Sequence, residues 1–112
     1  MNNVIEKTDQ LIDAIQSSNE YLQYQMLQKA ISKEQDIYNR LNDYRRRNFE
    51  IQMNEQANAV DEQENLSREY ADVLNRSEIK DFLVAEQRYI KMLRRVNKKL
   101  DSQFHVNIDF LE

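Results

Sequence analysis

Residues 78–106 read EIKDFLVAEQRYIKMLRRVNKKLDSQFHV, and no other stretch of the chain says as much about its fold. Phe82, Ala85, Tyr89, Leu93, Val96, Leu100 and Phe104 advance in steps of three or four, while Arg88, Lys91, Arg95, Lys98 and Lys99 gather on nearly the opposite side. At 100° per residue this spacing draws one apolar and one cationic stripe along a single amphipathic helix. With a rise near 1.5 Å per residue these 29 residues span about 43 Å. A compact chain of 112 residues has a radius of gyration near 13 Å, hence a diameter of about 35 Å. Part of the helix overhangs any compact monomer. A long helical hairpin beside it, a second copy of the chain, or both are expected to cover the overhang.

Working outward, the 112 residues include no Gly and no Pro, where average composition would supply about eight and six. Hairpin-rich β architectures, Gly-built phosphate loops and Pro-rich linkers all lose their usual residues at once. Helix boundaries must then come from polar caps. Asn3 with Glu6, Ser17 with Glu20, Ser32 with Gln35, Asp61 with Glu64 and Asn75 with Glu78 each place a short acceptor three residues before a Glu or Gln. Combined with apolar periodicity they predict five helices. The first, about 4–16, carries Val4, Thr8, Leu11, Ile12 and Ile15 in one narrow stripe. The second, about 18–31, spreads its apolar residues around the circumference and is expected at the centre of the bundle. The third runs from about 33 into 54–59, a polar stretch that reads as a hairpin tip. The fourth, about 62–74, aligns Leu66, Tyr70 and Val73. The fifth is the quoted helix. The expectation is one all-α domain over 1–112, an elongated antiparallel bundle of about five helices that assembles into oligomers through its long C-terminal helix.

Leu, Ile, Val and Phe account for 29 of the 112 residues, enough for a core but a modest one. Charged residues make up 32% and the net charge is −4. With no cysteine there is no disulfide and no thiolate metal site. No run approaches the roughly 20 apolar residues of a membrane span, and the first residues lack the basic and apolar regions of a leader, so a cytoplasmic protein is expected.

Two charged residues interrupt the stripes. Arg45 sits among Tyr38, Leu41 and Phe49 in the third helix, and Glu86 among Phe82, Tyr89 and Leu93 in the fifth. Either they pair as a structural ion pair that fixes register, or both side chains snorkel from the stripe margin to water. Phe82, Tyr89, Leu93, Val96, Leu100 and Phe104 are the expected seam for oligomer or partner. Arg88, Lys91, Arg95, Lys98 and Lys99 form a face suited to nucleic acid or to an acidic protein surface. The net acidity disfavours nucleic acid. Residues 54–72 hold six acids against Arg68 alone, and this segment is expected to pack on the cationic stripe within a hairpin or dimer. Met26, Met53 and Met92 read as core filler. A lone histidine, His105, with no cysteine gives no zinc site. Neither a nucleophile elbow nor a Glu-x-x-His motif occurs. No catalytic residue, metal or cofactor is expected, and the chain reads as a non-enzyme.

The order Leu11-Ile12-Asp13-Ala14-Ile15, Ser18-Asn19-Glu20-Tyr21-Leu22-Gln23-Tyr24, Leu41-Asn42-Asp43-Tyr44-Arg45 and Ile79-Lys80-Asp81-Phe82-Leu83-Val84-Ala85-Glu86-Gln87-Arg88 resembles the YlbF/YmcA/YheA family of small bacterial proteins, over nearly the whole chain. The resemblance implies an all-helical bundle that forms homo-oligomers or joins related helical subunits. It further implies a part in competence, sporulation and biofilm formation through a complex that modulates the endoribonuclease RNase Y. It transfers no catalytic residue. Some relatives are associated with iron–sulfur clusters and contribute cysteines, which this chain lacks; membership of a complex whose other subunits carry a cluster stays open.

Overall fold

A computed structural model describes residues 2–54 and 58–111. The protein is all-α, with six helices among the described residues: α1 (Asn3–Gln16), α2 (Asn19–Ser32), α3 (Gln35–Met53), α4 (Ala59–Glu69), α5 (Ala71–Leu74) and α6 (Ser77–Asp101), followed by a short 3-10 turn at Asp109–Leu111. Residues 55–57, half of the hairpin tip expected at 54–59, lie outside the described residues.

The chain turns its corners without glycine by repeating one device. Ser17, Lys33 and Asn75 each continue in a right-handed helical conformation past a helix end, and the next residue, Ser18, Glu34 or Arg76, swings to a more extended backbone before the next helix begins. No described residue has positive φ, so no corner calls for a residue without Cβ. Caps fall near the sequence signals but not on them. Asn2, not Asn3, caps α1, its side chain accepting from Val4 N at 3.0 Å. Ser18, not Ser17, caps α2, accepting from Tyr21 N at 3.2 Å. Neither α3 nor α6 has a side-chain cap, and Asp61 lies in the first turn of α4, where a carboxylate meets the helix dipole.

Two helices differ from expectation. The fourth breaks at Tyr70, where the backbone leaves the helical region at φ −105° and ψ 18°, splitting it into α4 and α5. The Tyr70 ring is held from outside its own helix: Arg40 lies 4.6 Å and Arg47 5.5 Å from its centroid, and Tyr44 stacks tilted at 5.8 Å. The long helix stops at Asp101 rather than near Val106. Ser102 Oγ donates to Lys99 O at 2.8 Å, and Gln103 N takes the tighter bond to Leu100 O, which ends the ladder.

Ile31, Leu41, Val73, Ile79 and Phe82 form the core, with Tyr24, Leu27, Ile37, Tyr38 and Tyr44 packed around it. It sits where the C-terminal end of α2, the first half of α3, α5 and the start of α6 converge. α2 is the hub, lying along α6 and also touching α1 and α3. Met26 and Met53 are exposed, contrary to their reading as core filler, and Met92 is half-buried. The molecule measures 52 × 40 × 18 Å with a radius of gyration of 18.8 Å, a plate about two helices thick. Among the described residues no helix is long and apolar enough to cross a membrane.

Candidate functional site

Arg45 and Glu86 meet. Arg45 projects from α3 and Glu86 from α6, and Arg45 Nη2 donates to Glu86 Oε2. Glu86 is 8% exposed, and it is the buried charge among the described residues. The guanidinium lies 5.6 Å from the Phe82 ring centroid and its Nη1 reaches Asn42 Oδ1 at 3.4 Å. No Cα of α3 approaches a Cα of α6 within 8 Å, so side chains alone join these two helices, this pair among them. Tyr24 of α2 stacks between, 5.7 Å from Phe82 and 5.0 Å from Tyr89. Burial pushes the Tyr24 hydroxyl above its ordinary range, and the neighbouring Glu86 carboxylate pushes the same way.

A second cluster ties α3 to α4 and α5. Arg40 clasps Asp72 bidentately, with Nε and Nη2 each 2.9 Å from a carboxylate oxygen, and donates from Nη2 to Glu69 O at 2.8 Å. Arg47 Nη1 donates to Glu69 Oε1 at 2.9 Å and to Tyr70 Oη at 3.1 Å. These bonds hold the carboxyls of Asp72 and Glu69 below the usual carboxylate range. Arg46 turns away to Asp43, so three consecutive arginines serve three different partners.

Among the described residues no acid of 58–72 forms an ion pair with the cationic stripe, on which the sequence reading placed the acids of 54–72. Glu69 and Asp72 are claimed by α3, and no Cα of α4 lies within 8 Å of a Cα of α6. Arg88, Lys91, Arg94, Arg95, Lys98 and Lys99 form no ion pair among the described residues, in contrast to Arg40, Arg45, Arg46, Arg47 and Arg76. Four of these cations, Arg88, Lys91, Arg95 and Lys99, border an open groove of about 550 Å³. Met92 and Val96 make its floor and Glu20 of α2 stands on the opposite rim.

The expected association seam divides. Phe82 is wholly buried within the chain against Leu41, Val73 and Ile79, which removes it from any surface. Tyr89 is covered by Tyr21 and Tyr24 at 5.5 and 5.0 Å. Leu93 and Val96 are half-buried, and Leu100 is 47% exposed. Phe104 has left the helix altogether and is 73% exposed. Sequence reasoning passed over α1 as a surface. It buries no residue and touches α2 alone, so Val4, Ile5, Leu11 and Ile12 remain open to solvent. The signal was present in its one-sided stripe, but a stripe does not say whether a neighbour will cover it.

Plate, uncovered arm and unpaired cationic groove define a small all-helical protein whose distinctive surfaces are external. The chain belongs to the YlbF/YmcA family: the family model described as control of competence regulator ComK, YlbF/YmcA, matches residues 4–104. That description makes it a regulatory protein. Comparison with curated proteins and with solved structures returns no match.

Proposed function

We propose that this chain is a non-enzymatic adaptor of the cytoplasm that assembles with itself or with related helical subunits, and that through such a complex it modulates the endoribonuclease RNase Y during bacterial development. The observation that carries the assembly reading is an area. The chain exposes 9100 Å². A compact monomer of 13.6 kDa exposes about 6,600 Å². The surplus, about 2,500 Å² per chain, is of the size that obligate interfaces remove. Much of it is apolar, on α1 and on the last turns of α6 and the segment after it. Sedimentation equilibrium tests assembly: a dimer or larger species is expected at micromolar concentration, and a monomer throughout that range overturns it. The nuclease link is tested with purified RNase Y. Altered cleavage of an RNA substrate in the presence of the chain, alone or with its related subunits, supports the link, and unchanged cleavage under both conditions removes it.

A second reading is favoured by one feature, the six cations from Arg88 to Lys99 that have no ion-pair partner among the described residues. They suit a phosphate backbone, and RNA affinity that falls steeply with salt and weakens on reversal of Lys91, Arg95 and Lys98 would establish it. Absence of binding at low salt excludes it.

A further inference from the structure

The self-assembly proposed above leaves open which surfaces meet, and this inference rests on that reading. We infer that α1 of one protomer lies in the cationic groove between α2 and α6 of a second copy, and that the exchange is reciprocal about a two-fold axis.

The arm needs a cover and the groove needs an occupant, and their dimensions agree. The 14 residues of α1 extend about 21 Å. The groove-lining part of α6, Arg88 to Lys99, extends about 17 Å. The groove offers an apolar floor, Met92 and Val96, to the exposed apolar stripe of Leu11 and Ile12, with half-buried Ile15 at its end. Charge is complementary on both rims. With that stripe facing down, Asp9 falls on one flank of α1 and Lys7 on the other. The groove answers with Arg88, Arg95 and Lys99 on one side and Glu20 on the other. α1 as a whole carries Glu6, Asp9 and Asp13 against Lys7, a net negative arm for a net positive trough. Within one chain the match is not made: α1 meets α2 through the two-residue corner Ser17-Ser18, and no Cα of α1 lies within 8 Å of a Cα of α6. A two-fold exchange places two arms in two grooves and so closes the assembly.

Complementation between variants provides the test, by analytical ultracentrifugation with circular dichroism as the check on folding. Leu11→Arg spoils the arm and leaves the groove; Val96→Glu spoils the groove and leaves the arm. Each alone is expected to sediment as a monomer that keeps the helical content of α2 to α6 and loses at most that of α1, because α1 contributes nothing to the core and Val96 lies outside it. Mixed in equal amounts, the two should recover a dimer through one intact arm and one intact groove. Should Val96→Glu lose helix, the exposed charges supply the same test: Asp9→Lys and Arg95→Glu each weaken dimerisation about fivefold, and the two combined in one chain restore it. A wild-type dimer that survives Leu11→Arg overturns the exchange while self-assembly stands. Two monomeric variants that fail to complement point to a seam of α6 on α6 and likewise overturn it. A monomeric wild type removes both readings. If Arg95→Glu abolishes RNA binding and leaves the dimer untouched, the groove belongs to nucleic acid and the inference fails.

Discussion

Removing the two ends of the Arg45–Glu86 bond should not cost the same. Glu86 is only 8% exposed, whereas the Arg45 side chain is 35% exposed and its long stem lets the guanidinium swing outward. In Arg45→Met the carboxylate stays buried without its cation, and breaking a buried pair this way costs roughly 3–5 kcal/mol; partial exposure of the partner argues for the lower end, about 3 kcal/mol. In Glu86→Met the arginine relaxes into solvent and loses mainly its bond and its place near Phe82, about 1 kcal/mol. The double variant removes charge from both helices and should cost about 1 kcal/mol, so the cycle closes with a coupling of about 3 kcal/mol. Urea denaturation at neutral pH, with all four proteins at one concentration, measures each value; the single variants should separate in melting temperature by roughly 8 °C. Additive costs, or a larger loss for Glu86→Met than for Arg45→Met, would refute the reasoning.

Phe82→Ala empties the centre of the core and should cost about 3–5 kcal/mol in urea, against under 1 kcal/mol for Phe104→Ala, whose ring lies outside the helix. Asp72 and Glu69 have folded pKa values below their unfolded ones, so their contribution is present above the unfolded carboxylate range and is lost as pH falls through the folded values. Urea midpoints should therefore drop below about pH 4, and the joint variant Arg40→Met with Arg47→Met should flatten that drop. Charge reversal at Lys91 or Lys98, neither of which has an ion-pair partner among the described residues, should leave the stability of the monomeric Leu11→Arg background within about 0.5 kcal/mol. A larger loss would reveal an intramolecular partner for the stripe.

Patterns carried by one helix were legible in the sequence; those imposed by another helix were not. The stripe of α6 and the two charges that interrupt the stripes are local facts, and they located Arg45 and Glu86 correctly enough to bring them face to face. Leu66, Tyr70 and Val73 keep helical spacing straight through the break at Tyr70, whose ring is held by Arg40 and Arg47 from α3. The same arginines took Glu69 and Asp72 from the cationic stripe that net charge had assigned them to. Periodicity put Phe82 and Leu100 on one face, yet one is wholly buried and the other 47% exposed, since α2 covers only the first part of a longer helix. Adjacent serines explain the cap displaced by one residue: the sequence offers two hydroxyls, and the backbone uses that of Ser18.

α1 buries nothing, and this bears on how the chain folds as well as on what it binds. A helix of 14 residues is near the length at which isolated helices become marginal in water, and here only the Asn2 cap and a brief touch on α2 support it. Its amide hydrogens should exchange with solvent far sooner than those of the buried part of α6 in dilute protein, and slow as the concentration rises. Under the proposed exchange, the order of the first sixteen residues would be set by how many neighbours the chain has, so that local folding itself would become a reading of abundance.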